Sequence, residues 1–275
     1  MARRSDPATE APGGAVAAPG PRDGWRPNPA EFGDGLPTLA CQPLFEGPLV
    51  HAFTLQPANV SIRSGQDQTA ATRRREQLCG ALGADPSKLT TMRQVHGARI
   101  ALVDDAVVGG CLPDVDGLIV DRPGIPLLAL SSDCPLILVA DADGRALGLA
   151  HAGWRGTLAG IARALVRSMI ERLGVSAGAL RAAIAPSAGV CCYRVGPDVW
   201  QAAEGLPQRK RFFQERDGAM FFDLGAANGA QLIEAGIDPQ RVHLSESCTI
   251  CDDRFFSYRR DGADTGHAGL IAVLR

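Results

Sequence analysis

The apolar positions of this chain change period near residue 157. Upstream, short apolar and alternating runs predict strands at 92–96, 99–103, 117–121, 126–131, 136–140 and 146–151, with no helix between them. Downstream, Leu158, Ile161, Ala162, Leu165, Met169 and Leu173 recur at helical spacing, which predicts a helix running from Thr157 to a stop at Gly174. An earlier helix over 68–82 sets Ala70, Ala71, Leu78, Ala81 and Leu82 on one side and Arg73-Arg74-Arg75 toward solvent, and ends at Gly83. A strand follows at 180–185, a short helix opened by Pro197 at 197–203, and a helix capped by Asp223 at 223–235. Strands at 241–244 and 270–274 close the pattern. Segregated strands with a few packed helices predict an α+β fold in a single domain.

The turn Asp141-Ala142-Asp143-Gly144 folds the runs 136–140 and 146–150 into a hairpin. A hairpin returns the chain to its start, so Cys134, just before the first strand, meets His151 at the end of the second. A second imidazole, His96, stands in Gln94-Val95-His96-Gly97. Both histidines follow a predicted strand and lie close before a glycine, where the backbone turns sharply and a side chain projects. One thiolate and two imidazoles leave a zinc ion one open position, the arrangement of a catalytic site. Cys134 serves there either as a ligand or as a nucleophile. Asp133 is open to three readings: an acceptor that orients an imidazole, a proton acceptor in catalysis, or a turn former. The stretch Gly153-Trp154-Arg155-Gly156 opens the long helix, so its backbone N–H groups and Arg155 favour an anion. The plain alternative is that Trp154 packs on the sheet and Arg155 pairs with a carboxylate. Tyr258, Arg259 and Arg260 form a polar, cationic group that either binds substrate or lines a solvated edge.

Charge narrows the partners. With 28 Lys and Arg against 30 Asp and Glu and no basic stripe, the chain lacks the electrostatic footprint of a nucleic-acid binder. No apolar run approaches the roughly 20 residues of a membrane span. Eight cysteines in a chain of this size, several inside apolar segments, suit a reducing, cytoplasmic setting better than a disulfide scaffold. Cys248-Thr249-Ile250-Cys251 has zinc-knuckle or redox spacing, but no second pair follows it, so buried thiols are expected there. Residues 1–36 are Ala, Pro, Gly and charged residues without periodicity, which predicts a disordered tail ahead of one domain over 37–275. Arg3-Arg4 is followed by no continuous apolar segment, so a signal peptide is not expected.

Six motifs in order carry a resemblance from about residue 50 onward. They are Gln94-Val95-His96-Gly97, Asp133-Cys134, His151-Ala152-Gly153-Trp154-Arg155-Gly156, the run from Gly189-Val190-Cys191-Cys192 to Tyr193-Arg194-Val195-Gly196, Cys248-Thr249, and Phe256-Ser257-Tyr258-Arg259-Arg260-Asp261-Gly262 with Thr265-Gly266. Together they resemble the multicopper polyphenol oxidase, or laccase-domain, family, also called the purine nucleoside phosphorylase family of the peptidoglycan editing factor type. The resemblance implies a mixed β-sandwich core with flanking helices and zinc on His96, Cys134 and His151. It also implies phosphorolysis of adenosine, inosine, guanosine and methylthioadenosine with phosphate, together with adenosine deamination. An amidase that edits a peptidoglycan precursor is the alternative activity the family implies, and a binding module without turnover is the non-enzyme alternative. Copper-dependent phenol oxidation fits less well, because five histidines cannot furnish a trinuclear cluster beside a blue-copper centre. Two positions depart from the family pattern. The arginine and paired glycines expected after the first strand are missing from Leu55-Gln56-Pro57-Ala58-Asn59, and the late Thr-Gly-Arg reads Thr265-Gly266-His267. Both changes remove a guanidinium suited to holding an anionic or polar substrate group.

Overall fold

Alternation within the strands decides the layering, because successive side chains of one strand point to opposite faces and here both faces are buried. A computed structural model describes residues 24–28, 35–44, 47–63 and 65–275. The first half contains β1 (Trp25–Pro27), β2 (Thr38–Cys41), β3 (Leu49–Thr54), α1 (Gln68–Ala81), β4 (Thr90–Met92), β5 (Ile100–Leu102) and β6 (Cys111–Leu112). The centre of the chain adds β7 (Gly117–Val120), β8 (Leu127–Ser131), β9 (Leu136–Asp141), β10 (Leu147–His151), α2 (Trp154–Leu158), α3 (Ile161–Leu173) and β11 (Leu180–Ile184). The remainder forms β12 (Arg194–Val195), α4 (Pro197–Ala202), β13 (Phe213–Arg216), β14 (Ala219–Phe222), α5 (Leu224–Glu234), β15 (Val242–Leu244), α6 (Tyr258–Asp261) and β16 (Ala268–Leu274).

Two large sheets face each other. One has seven strands in the order β1-β2-β3-β16-β8-β4-β6, and the other six in the order β15-β11-β9-β10-β7-β5. Leu118, Leu136, Leu138 and Leu149 of the six-stranded sheet meet Phe53, Leu127, Ala129 and Leu270 of the seven-stranded sheet in the central core. The intervening residues Ile119, Ile137 and Val139 point the other way, onto Ile161, Leu165 and Met169 of α3 and Leu232 of α5. The outer face of the seven-stranded sheet is covered by α1 through Leu78, Cys79 and Leu82. A third core, built on Phe212, Phe213 and Phe222 beside the small sheet β12-β14-β13, takes in Trp154 and Leu158. The fold is α+β, a mixed sandwich with flanking helices. Among the described residues no helix is long and apolar enough to cross a membrane.

Three sequence expectations need correction. The helix expected to run unbroken from Thr157 is two helices, because the backbone turns left-handed at Gly160 (φ 83°) between α2 and α3. The strand expected over 92–96 stops at Met92, since the N–H groups of residues 95–97 bond to a carboxylate rather than to a neighbouring strand. The disordered tail expected over 1–36 contains an ordered strand: Trp25 is buried against His51 and Phe53, and β1 pairs antiparallel with β2. Residues 1–23 and 29–34 of that tail lie outside the described residues.

Trp25 is a large apolar contribution from an otherwise apolar-poor segment. Trp25→Ala is expected to cost about 3 kcal/mol, which for a chain of this size lowers the melting temperature by roughly 6–12 °C. A truncation that begins at residue 24 keeps the strand, whereas one that begins at residue 37 removes it. Calorimetry should show the lower melting temperature only in the second.

Candidate active site

Cys134 lies where the chain leaves one sheet for the other. Between the end of β8 in the seven-stranded sheet and the start of β9 in the six-stranded sheet there are only four residues. The crossing is fixed by bonds from Ser131 Oγ to the Cys134 carbonyl (2.6 Å), from Ser132 Oγ to the Gly266 carbonyl (2.7 Å) and from the Ala188 N–H to the Asp133 carbonyl (2.7 Å). Asp133 has a positive φ of 107°, a conformation that a non-glycine residue keeps only when its surroundings impose it. The β9–β10 hairpin forms as expected and pairs His151 with Leu136, so His151 ends beside the crossing.

His96 arrives from the loop after β4. Gln94 anchors that loop by imitating a strand neighbour: its amide accepts from the Leu130 N–H (2.9 Å) and donates to the Leu130 carbonyl (2.8 Å). His96 itself takes a left-handed φ of 62°. The donor atoms of His96, Cys134 and His151 all lie within 4.8 Å of one another, with His96 exposed, Cys134 half-buried and His151 buried. The two imidazole rings meet edge to face at 4.8 Å. Gly153 permits this convergence. A Cβ there would stand 2.7 Å from His96 Cδ2 and 3.2 Å from Cys134 Sγ.

The orienting carboxylate is Asp116. β7 begins at Gly117, opposite Ala150 of β10, so the preceding residue falls beside His151. Asp116 Oδ1 binds His151 Nδ1 at 2.9 Å, which leaves Nε2 for the centre. The same carboxylate accepts the backbone N–H groups of Val95 (3.2 Å), His96 (2.9 Å) and Gly97 (2.7 Å). Burial pushes the Asp116 carboxyl up, but the bonds from His151 and these N–H groups outweigh it and hold it below the usual carboxylate range. Burial likewise pushes the Cys134 thiol up, yet the charges and hydrogen bonds of His151 and His96 prevail and bring it down to about 6. Burial lowers His151, and Cys134 with Asp116 reverse the effect and raise it to about 9. The two groups thus favour each other's charged form, the thiolate of Cys134 and the protonated ring of His151.

The orienting role considered for Asp133 belongs to Asp116. The Asp133 carboxylate instead accepts from Thr249 Oγ1 (2.6 Å) and from the Arg259 backbone N–H (2.7 Å). Its burial dominates these bonds and raises its pKa above the usual value. The guanidinium of Arg259 donates to the Arg194 carbonyl (2.6 Å) and lies 4.9 Å from the Tyr193 ring centre. Tyr193 is buried, and its hydroxyl is pushed up to about 12, by burial first and then by the charge of Cys134. A cavity of about 580 Å³, lined by Arg194, Pro197, Trp200, Glu215, Met220 and Arg259 among others, opens next to this group.

Arg155 is exposed, with its guanidinium stacked over Trp154 at 4.2 Å. The helix it opens has only five residues, so the dipole expected of a long helix is not behind it. Tyr258 is 60% exposed on the short α6, farther into solvent than a binding role suggested. A guanidinium stands beside position 267: Arg63 Nη1 lies 3.2 Å from His267 Nε2. Burial, Arg63 and His151 together push His267 down to about 4, so it is a neutral imidazole near the centre. Sequence reasoning missed Asp116, Arg63 and Tyr193. An acidic residue directly ahead of the strand predicted at 117–121 was the available signal for the first; Arg63 lies in a segment with no pattern of its own.

The model of a family described as multi-copper polyphenol oxidoreductase laccase matches residues 50–275. The chain belongs to this family. The purine nucleoside phosphorylase YlmD of Geobacillus stearothermophilus is 35% identical over 220 residues, which cover 76% of this chain and 80% of that protein. A protein named adenosine deaminase RL5, from an unknown prokaryotic organism, is 32% identical over 74% of this chain and 81% of its own length. The crystal structure of YlmD from Geobacillus stearothermophilus superposes with a TM-score of 0.81 at 31% identity, over 86% of this chain and 96% of that one. Relatives in this family therefore bear the names of nucleoside enzymes, and this chain is an enzyme of the same family.

Asp116→Asn keeps the side-chain volume but offers one acceptor oxygen where four donors compete. It should weaken metal binding by about 10–100-fold, measured by competition with a chromophoric chelator. Gly153→Ala should abolish binding at this centre in the same titration without loss of far-ultraviolet circular dichroism, because the added methyl occupies the space between His96 and Cys134.

Proposed function

We propose that this chain is a zinc-dependent purine nucleoside phosphorylase that also deaminates adenosine, with His96, Cys134 and His151 as the zinc ligands. The observation that carries the reading is the donor set itself: one thiolate and two imidazoles around a single point, the buried imidazole fixed by a carboxylate, and the exposed side of His96 open to solvent. This is borderline-soft ligation with room for one more ligand, which suits zinc. Copper-dependent phenol oxidation would need more imidazoles near the centre, whereas His51 accepts the Cys41 N–H in the core and His243 lies within β15. The free state of the described cysteines suits a reducing, cytoplasmic setting.

Bound zinc supplies Lewis acidity and an activated water at neutral pH. The residues of the chain do the rest. Asp116 fixes the His151 tautomer by accepting its Nδ1–H and keeps the His96 loop in place through three backbone bonds. Arg155, Arg259 and the Arg63–His267 pair bring cationic and polar groups around the centre, which favours phosphate. In phosphorolysis a phosphate oxygen bonds to ribose C1′ as the glycosidic bond breaks, and the electron pair and a proton go to the purine nitrogen. In deamination water adds at purine C6 and ammonia leaves. The substrates are adenosine, inosine, guanosine and methylthioadenosine. Asp133 acts by positioning: it ties the Cys134 crossing to Thr249 and Arg259.

Adenosine and inosine in phosphate buffer should be consumed by the zinc-loaded chain, with free base and ribose 1-phosphate released and inosine also formed from adenosine. Chromatography follows both. His151→Ala should bring both activities to background, and Arg63→Ala should raise the KM for phosphate with a smaller effect on deamination. No base release and no deamination by zinc-loaded protein would overturn the reading.

A further inference from the structure

The parallel pairing of β11 with β15 sends the loops that follow these two strands out of the same edge of the six-stranded sheet. The ladder continues past the strands as an isolated parallel bridge between Ser187 and Cys248, with the Thr249 N–H bonded to the Ser187 carbonyl at 3.0 Å. One loop carries the adjacent Cys191 and Cys192, the other carries Cys248 and Cys251. The second pair that the Cys-x-x-Cys spacing called for thus precedes it by more than fifty residues, and only the sheet topology unites the two. The four sulfur atoms lie within 4.8 Å of one another. Cys191 Sγ and Cys251 Sγ are 3.9 Å apart, close to the roughly 3.8 Å edge of a tetrahedron whose metal–sulfur bonds are about 2.3 Å.

We propose that Cys191, Cys192, Cys248 and Cys251 form a second, structural zinc site with four thiolate ligands. Three further observations support it. The Gly189 N–H donates to Cys248 Sγ at 3.2 Å, the type of amide-to-sulfur bond that stabilises a metal-bound thiolate. Gly189 is also required by space, since a Cβ there would stand 3.1 Å from Cys191 Sγ and 3.3 Å from Cys248 Sγ. Two guanidinium groups brace the loops: Arg216 donates to the carbonyls of Val190 (2.6 Å) and Cys191 (3.1 Å), and Arg260 to those of Thr249 (2.9 Å) and Asp252 (3.1 Å). A zinc ion with four thiolates carries a net charge of −2, and Arg216 sets a cation beside it, whereas the charge of Arg260 is paired with Asp261 (2.8 Å).

With all four positions filled by protein the site is closed, so it serves architecture and not turnover. The loops it joins reach the active site. Tyr193 directly follows Cys192, and Thr249, between the two cysteines of the other loop, holds the carboxylate of Asp133 next to Cys134. The second zinc ion is a staple that positions Tyr193 and Asp133.

The full-length chain, purified under reducing conditions, loaded with zinc and desalted, should hold two zinc ions by elemental analysis. Cys251→Ser and Cys191→Ser should each hold one, and Cys134→Ala should also hold one, so loss at either centre reads independently of the other and of nucleoside turnover. A Cys134→Ala chain titrated with cobalt(II) should develop the intense visible bands of tetrahedral cobalt and a near-ultraviolet thiolate charge transfer, which needs no variant at the proposed site. The same metal content in Cys251→Ser, Cys191→Ser and the parent chain would overturn the proposal. So would intact-mass measurement showing these cysteines joined as disulfides, two hydrogens lighter per pair, in the freshly reduced and repurified protein.

Discussion

The carboxylate of Asp116 is the point on which the active site depends. It is fully buried, and a buried charge persists only when its oxygens are satisfied. Here four donors do so: three successive backbone N–H groups from the His96 loop and the ring nitrogen of His151. One residue therefore sets two of the three candidate ligands, one through its backbone and one through its imidazole. The left-handed φ of His96 is a consequence, because three consecutive amides can converge on one carboxylate only if the chain curls around it. Loss of the charge would leave three orphaned amides as well as a misoriented imidazole.

The sandwich delivers the remaining ligand. Cys134 rides on the four-residue passage between the sheets, where hydrogen bonds from Ser131, Ser132 and Ala188 leave the backbone little freedom. Such sites gain accuracy from the rigidity of both sheets, which are joined by a core of Leu, Phe and Val side chains. The cost is the unfavourable backbone at Asp133, held by its bonds to Thr249 and Arg259.

The hairpin that reunites Cys134 with His151 was legible because its period, its turn and its length are all local properties of residues 136–151. Long helices were legible for the same reason, and the break at Gly160 was not, because glycine is tolerated within helices and its left-handed role depends on how α2 meets the third core. Trp25 shows the limit of composition: a single large ring in a polar, proline-rich segment orders a strand when a neighbouring sheet has a place for it. Asp116, Arg63 and the four-cysteine cluster escaped for a different reason. Each depends on contacts between segments distant in sequence, and the sheet order that creates those contacts cannot be read from the runs of residues themselves.

Both large sheets end in strands of three residues or fewer: β1 and β6 bound one, β15 and β5 the other. Pro27, the last residue of β1, has no N–H to offer. Edge strands this short give an incoming chain few hydrogen bonds with which to fix its register, which disfavours edge-to-edge addition at these margins. Among the described residues the longer open margin is therefore β13 of the small sheet, four residues of which three are exposed, and the two halves of the sandwich offer an incoming chain little template for fibril-like growth.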